Sequence, residues 1–532
     1  MDNVNASKKV NKELKLGVVL SYLLIGLTIV SGLLLVPFII NGLGESNYGV
    51  YNAASSLIAM FVVDLGLGTA VTKFVSKYRV TSNQEEINKI TSVVFACFIF
   101  LAAILLIIFG SLFPFLKNIY SSFTPEEVES LKYVFIIVVA YTVLTFPFSI
   151  VNGILVSYDK IFLTKIADII SKLVFIILTI LVLVFNLGLY FLTACYAVHG
   201  VLSVAIKLFF VKTKTPTKFF YKIKWQEFKQ IFKDVISFSI WAAINSFGRV
   251  ILVSVAPMIL GFASPFAEGT TEITIFSNAA RIESYVSLFA TAFGSIFYPS
   301  ISRILFKDSD DYTKSLPEFH RFHIKIARIQ VLILSIMLAG LVIFGKDFIY
   351  LWLGSGFDKS YYCMIALCLP ALFFYPLQIA ENAIAAVEKI KHCGLATIIS
   401  TVVGIGASIG LAFPWGAIGV SIGICIGFIT RTILFNIIFN RYLKINPLSF
   451  YFKSYVSFLI PVAISVVVGV ILNKMLPDAT WIYFLIKVFI ASICYIACVC
   501  VVGLNSEERG KFDQVLVRTY NKVNSLLRKV EK

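Results

Sequence analysis

Long runs of apolar residues recur from one end of the chain to the other, separated by short polar stretches. Each run reaches the length, about 18 residues or more, at which a helix crosses the hydrocarbon core of a bilayer. Fourteen such segments can be drawn, at 16–40, 49–73, 91–114, 133–156, 166–186, 188–211, 235–262, 273–300, 326–345, 361–387, 393–413, 416–439, 454–473 and 480–503. They are numbered here as spans one to fourteen. The runs are continuously apolar and do not alternate with period two, which excludes a transmembrane β-barrel. The pattern predicts an all-α polytopic membrane protein.

Composition sharpens this. Of 532 residues, 59% are hydrophobic and 14% charged, and the mean hydropathy is +0.90. A soluble protein of this length needs far more polar surface. Span one exceeds the core of a signal peptide and has no small-residue cleavage site, so it reads as an uncleaved span. The nine cysteines lie almost all inside apolar runs, with Cys494, Cys498 and Cys500 in one span. Their spacing offers neither a CxxC pair nor a Cys/His metal set, and they read as small core residues. The sequence calls for no metal and no cofactor.

Charge gives the orientation. Of the 46 Lys and Arg, five (Lys117, Lys132, Lys346, Lys359 and Lys474) fall in loops on one side and five (Lys172, Arg249, Arg281, Arg431 and Lys487) deeper within spans. The other 36 belong to the opposite side, with Lys73, Lys207 and Arg328 among them just inside span ends; that side is cytoplasmic by the positive-inside rule, as are both termini. The net charge of +17 therefore concerns anionic lipid headgroups and not nucleic acid. Pro216–Ile236 mixes Phe219, Phe220, Trp225, Phe228, Ile231 and Phe232 with Lys222, Lys224, Lys229 and Lys233. It reads as a basic amphipathic helix on the cytoplasmic interface. The tail 506–532 has a similar pattern.

The chain repeats itself. At an offset of 229, Phe146-Pro147-Phe148-Ser149-Ile150 matches Tyr375-Pro376-Leu377-Gln378-Ile379, and Asp159-Lys160-Ile161 matches Glu388-Lys389-Ile390. Two repeats of six spans run in the same direction, which predicts a pseudo-twofold axis along the membrane normal. The expected organisation is a cytoplasmic segment 1–15, an N-lobe 16–211 (spans one to six), a cytoplasmic amphipathic linker 212–234, a C-lobe 235–439 (spans seven to twelve), spans thirteen and fourteen in 440–503, and a cytoplasmic basic tail 504–532. Two parallel bundles suit alternating access around a central cavity.

Three stretches point to a family. Pro37-Phe38-Ile39-Ile40-Asn41-Gly42-Leu43-Gly44 leads to Tyr48-Gly49-Val50-Tyr51 and then Asp64-Leu65-Gly66-Leu67-Gly68. In the second half, Phe276-Ser277-Asn278-Ala279-Ala280-Arg281 is followed by Tyr298-Pro299-Ser300-Ile301-Ser302. The chain resembles, over essentially its whole length, the Wzx-type oligosaccharide-lipid flippases of the MATE/MurJ superfamily. An Asp-Arg pair frequent in span seven of that family is Gly248-Arg249 here. The arginines that the lipid II branch carries in its first two spans are absent before Lys73, which favours the oligosaccharide branch.

The resemblance implies a polyprenyl-diphosphate-linked glycan as substrate, and intramembrane charges are the candidates to handle it. Arg249 lies in mid-span seven with Asn245 one turn below; Arg281 lies in span eight with Asn278 one turn away; Arg431 lies in span twelve. A guanidinium donates two parallel hydrogen bonds to phosphate oxygens. The competing structural role for Arg281 is neutralisation by Glu283 or Glu272. Glu381 in span ten and Asp64 in span two are candidates for ion coupling; close helix packing around Gly66 and Gly68 gives Asp64 a structural alternative. Asp168 and Lys172, four apart, read as an ion pair, Lys487 as a snorkelling residue, and His320 and His323 as surface-loop residues. Gly340–Asp347 mimics a phosphate loop but has no Ser or Thr and no preceding strand.

The expected function is flipping of lipid-linked oligosaccharide across the bacterial plasma membrane for capsule or another surface polysaccharide. Expected partners are membrane lipids and other polysaccharide-assembly membrane proteins. The alternatives are an ion-coupled multidrug or cation exporter of the same superfamily, a lipid II flippase, and a membrane-embedded glycosyltransferase or polymerase. The last requires a long external loop with catalytic groups, and 115–132 is short. The chain reads as a transporter and not an enzyme.

Overall fold

The computed structural model describes residues 2–61, 67–80, 83–263, 269–307, 311–477, 479–505 and 508–510, and all regular structure among them is helical. Ten of its helical runs are long and apolar enough to cross a membrane. They cover every predicted span except two, seven and eight. Those three correspond to Glu45–Phe61 with Leu67–Val80, Trp225–Ser254 with Ala256–Ala263, and Gly269–Ile296. These helices carry Asn52, Arg249, Glu272, Arg281 and Glu283, so they are less apolar because they hold the polar residues of the interior.

One run, Ile390–Leu443, has 54 residues. As a straight helix it would extend about 80 Å, more than twice a bilayer core. It instead breaks at Gly416, whose φ of 53° and ψ of −130° are non-helical, and forms predicted spans eleven and twelve as a hairpin. Small residues seal its arms: a side chain at Gly404 would come within 3.0 Å of the Gly427 backbone, and one at Gly423 would collide with Ser408.

The repeat is visible as local structure. Phe146–Ser149 and Tyr375–Leu377 are both short 3₁₀ segments around a proline, whose missing N–H interrupts the helical ladder. Further on, Asp159 and Glu388 adopt nearly the same left-handed conformation, φ 60° and 61°. Asp159 lies in a tight turn where Lys160 N–H donates to the Leu155 carbonyl at 2.9 Å.

The chain packs as two compact units. One comprises 1–288, 362–367 and 388–435; the other comprises 289–361, 368–387 and 436–532. Large apolar side chains such as Leu34, Phe38, Phe100, Ile107, Val467 and Phe489 face outward. In water this surface would aggregate; in a bilayer it meets acyl chains.

In the second unit, Arg328 is 6% exposed and holds both Glu508 oxygens at 2.7 and 2.8 Å, together with the carbonyls of Lys453 and Gly503. Most of the tail read as amphipathic, 511–532, lies outside the described residues. Lys487 does not snorkel: its buried ammonium meets Asp347 at 2.6 Å. His323 is not a surface-loop residue. It lies in the helix Leu316–Leu353, buried, with Nε2 3.0 Å from the Pro376 carbonyl and its ring stacked on Phe450 at 4.5 Å.

Candidate functional site

The polar residues inside the first unit converge on Arg281. Helix Gly269–Ile296 presents it at mid-length, and its Nη2 donates to the Tyr48 hydroxyl at 2.7 Å. Its Nε is enclosed with no hydrogen-bond partner among the described residues. Tyr51, Tyr196 and Tyr285 also interact with the guanidinium electrostatically. Tyr51 stacks on Tyr196 at 4.7 Å, and Tyr196 packs on Phe175 at 4.5 Å. The Lys172 ammonium sits 4.8 Å over the Phe175 ring and feels the charge of Arg281. Two cations thus share an aromatic-walled interior.

The acids expected to neutralise Arg281 are engaged elsewhere. Glu283 pairs with Arg249 at 3.2 Å. Glu272 accepts the Ala417 N–H at 2.7 Å, stabilising the start of the second arm of the 390–443 hairpin, where an acid complements the exposed amides. The expected Asp168–Lys172 pair is also replaced. Asp168 meets Lys207 at 2.6 Å and accepts from Ser203 at 2.9 Å, and Lys172 makes no ion pair among the described residues.

Gly248 explains a departure noted in the sequence. A side chain there would come within 2.8 Å of the Thr401 hydroxyl and closer still to the Thr397 methyl. Span seven packs tightly on span eleven at this point, so an acid preceding Arg249 would not fit. Glu283, from span eight, supplies the counter-charge, and the Ser287 hydroxyl accepts from the same Arg249 nitrogen.

Asn278 is fully buried, one turn from Arg281, and neither its amide nitrogen nor its oxygen has a hydrogen-bond partner among the described residues. Arg431 is buried with its guanidinium 4.8 Å over Phe435. Glu381 is half-buried in helix Gln378–Ala386 of the second unit. Asp64 and the side chain of Asn245 lie outside the described residues. In the sequence, Lys172 reads as an ion-pair partner of Asp168 and Tyr48 and Tyr51 only as part of a family motif, and Tyr196 does not stand out. Tyr48 and Tyr51, three apart on one helical face in the Tyr-Gly-x-Tyr element, were the available signal.

One end of this unit is cross-tied. Glu127 accepts from Ser46 at 2.5 Å, from Thr270 at 2.9 Å and from the Thr124 backbone at 2.8 Å. Its own N–H donates to the Thr124 hydroxyl, completing a capping box. Nearby, Thr274 donates to the Glu45 carbonyl and Ser122 to the Gly261 carbonyl, both at 2.8 Å. Gly49 lets the Thr270 carbonyl approach where a Cβ would collide with it. The starts of spans two, four and eight are thereby bound together.

A family model described as "Lipid II flippase MurJ" matches residues 39–491. The chain belongs to the MurJ family. As a MurJ-family flippase it is a multi-pass transporter and not a catalyst. No curated protein sequence matches it significantly. A solved lipid II flippase MurJ in an inward closed conformation aligns with a TM-score of 0.62 at 17% identity, covering 91% of this chain and 98% of that one. A multidrug resistance MATE family transporter of the MOP superfamily, inward-facing, aligns with 0.62 at 17% identity, covering 80% and 98%. A MOP superfamily transporter from Pyrococcus furiosus, described as having a binding pocket of reverse polarity, aligns with 0.56 at 16% identity, covering 82% and 96%. These likenesses carry the fold, and with the family match they confirm the MATE/MurJ resemblance at the level of the superfamily.

Proposed function

We propose that this MurJ-family flippase moves polyprenyl-diphosphate-linked oligosaccharide units from the cytoplasmic to the outer leaflet of a bacterial plasma membrane, supplying a surface polysaccharide. The observation that carries the reading is that Arg281 and Lys172 share this interior with no acid paired to either among the described residues. A cation at the bilayer centre costs about 2.5–3.5 kcal/mol on insertion scales, and two adjacent ones repel. An anionic headgroup relieves both costs, and a guanidinium binds phosphate oxygens in a fork. The tyrosines supply hydroxyl donors and ring faces for sugar. In an exporter of organic cations the same interior would repel its cargo, so the charge pattern favours an anionic substrate.

In this reading the N-lobe 16–211 and C-lobe 235–439 alternate around the cavity, the linker 212–234 joins them, and Glu381 couples an ion. The ties around Glu127 hold the outward end closed, so the headgroup enters from the cytoplasmic side. Lipid II remains the second reading, on the strength of the family match.

The test is a reconstituted flipping assay. Proteoliposomes are supplied with a fluorescent polyprenyl-diphosphate oligosaccharide, with labelled lipid II, or with an organic cation dye. Movement of the oligosaccharide lipid well above the other two is expected, as is its loss in Arg281→Gln. Faster movement of lipid II would reassign the substrate, and movement of the dye alone would overturn the reading.

A further inference from the structure

Residues 215–224, between spans six and seven, are not helical; helix begins at Trp225 and runs unbroken to Ser254. This departs from the amphipathic helix expected over Pro216–Ile236. Proline at 216 and the extended conformation of Lys224 (ψ 144°) delay its start. The segment is nevertheless fastened to span three and its surroundings. The Lys218 N–H donates to Asn88 Oδ1 at 2.9 Å, Gln84 donates to the Pro216 carbonyl at 3.3 Å, and the Thr217 hydroxyl reaches that of Tyr158 at 3.4 Å. Phe219 and Phe220 both pack on Phe95, with ring centroids 5.3 and 5.5 Å away.

This arrangement leaves two cavities side by side that share Phe220, Tyr221 and Lys222. One, about 540 Å³, is mostly apolar and runs between Phe95, Ala96 and Ile99 of span three and Phe228. The other, about 560 Å³, is polar and lined by Lys218, Lys222 and Lys224. Lys89, Glu85 and Glu227 also line it, and Lys89 spans the acids: it meets Glu85, Glu86 and Glu227 at 3.0, 3.1 and 3.4 Å. The lining therefore carries four lysines against two glutamates. No acid lies on the linker itself between 212 and 226. Phe220 and Trp225 stand 80% and 67% exposed beside these cavities. Trp225, Phe228 and Phe232 stack in sequence at 5.4 and 6.2 Å, an aromatic strip of the kind that seats at a membrane interface.

From this juxtaposition we infer that the linker and span three form a binding site for one anionic phospholipid, its acyl chain in the apolar cavity and its phosphate among Lys218, Lys222 and Lys224. The apolar half needs a hydrocarbon chain, the basic half needs an anion, and a phospholipid carries both side by side. Three lysines beside an anionic headgroup favour it over a zwitterionic one by an order of magnitude or more. The occupant would fasten the segment that connects the two six-span repeats. The site is separate from the Arg281 interior and does not depend on which glycan is flipped.

Native mass spectrometry of the delipidated full-length protein, titrated with phosphatidylglycerol or phosphatidylcholine of matched chains, tests this. At least tenfold preference for one phosphatidylglycerol is expected. The triple variant Lys218→Gln, Lys222→Gln, Lys224→Gln should lose that preference, and Phe220→Ala should weaken retention of both lipids. All four positions are outside the buried core, and melting temperature reports that the variants fold. Equal retention of the two lipids overturns the inference, as does a triple variant that keeps the preference. Complete displacement of phosphatidylglycerol by millimolar inorganic phosphate would show an anion site without a tail site, and would overturn it equally.

Discussion

Arg249 on span seven and Glu283 on span eight are joined at 3.2 Å, with the carboxylate 9% exposed and the guanidinium 30%. The pair ties together two of the least apolar helices in the chain, and it stands in for the local acid that Gly248 excludes. It also separates the two arginines by role. Arg249 has a counter-charge built into the protein, whereas Arg281 has hydroxyls.

Breaking this pair from one side should therefore be worse than removing it. Arg249→Ala leaves Glu283 charged and enclosed, at a cost below the ~3–5 kcal/mol of a fully buried pair because the guanidinium is partly solvated. Membrane abundance and melting temperature should fall, and Arg249→Ala with Glu283→Gln should recover most of the loss. Arg249→Lys should keep abundance and most of the flipping, because the charge that Glu283 pairs with remains. A double variant no more stable than the single one would show that Arg249 is not held by Glu283.

Arg281 and Lys172 should behave in the opposite way. Neutralising either relieves repulsion, so Arg281→Gln and Lys172→Gln should fold at least as well as the parent while flipping falls about tenfold or more, a loss of about 1.4 kcal/mol each. Tyr48→Phe removes one hydrogen bond to a charged group, worth about 1.5–3 kcal/mol, and should loosen Arg281 with a smaller loss of transport. Full transport by the Lys172 variant would remove it from the site.

The Glu127 ties predict a conformational bias. Glu127→Ala removes the shared acceptor of Ser46 and Thr270 and should shift the protein toward the state open on that side. Cysteines at 46 and 270 should cross-link under mild oxidation and stop transport, with recovery on reduction. A cross-linked protein that still flips would show that this end does not open.

Orientation follows from the lysine and arginine distribution and can be checked directly. Cysteine accessibility in intact cells should place 212–234 and the C-terminus inside and 115–132 outside. Labelling of 212–234 from outside would invert the assignment and make the Glu127 ties the cytoplasmic closure.

Much of this molecule was legible in its residues. Span length, apolarity and charge asymmetry are local properties, fixed by bilayer thickness and by the cost of moving lysine across it. The helical membrane fold and most span positions could therefore be read directly, and so could the repeat, because a proline or a left-handed turn shapes the backbone wherever it occurs. Ion pairing could not be read in this way. Asp168 lies four residues from Lys172 and still pairs with Lys207 on another helix; Arg281 lies two residues from Glu283, which reaches across to Arg249. On a helix, neighbours in sequence point in different directions, and which charges meet is decided by how the helices pack. The Gly248 contact and the tyrosines around Arg281 belong to the same class. The sequence alone determined that the chain lives in a membrane and carries buried charge, and only the tertiary structure decided which of those charges meet which acids, because partners come from helices far apart in the chain.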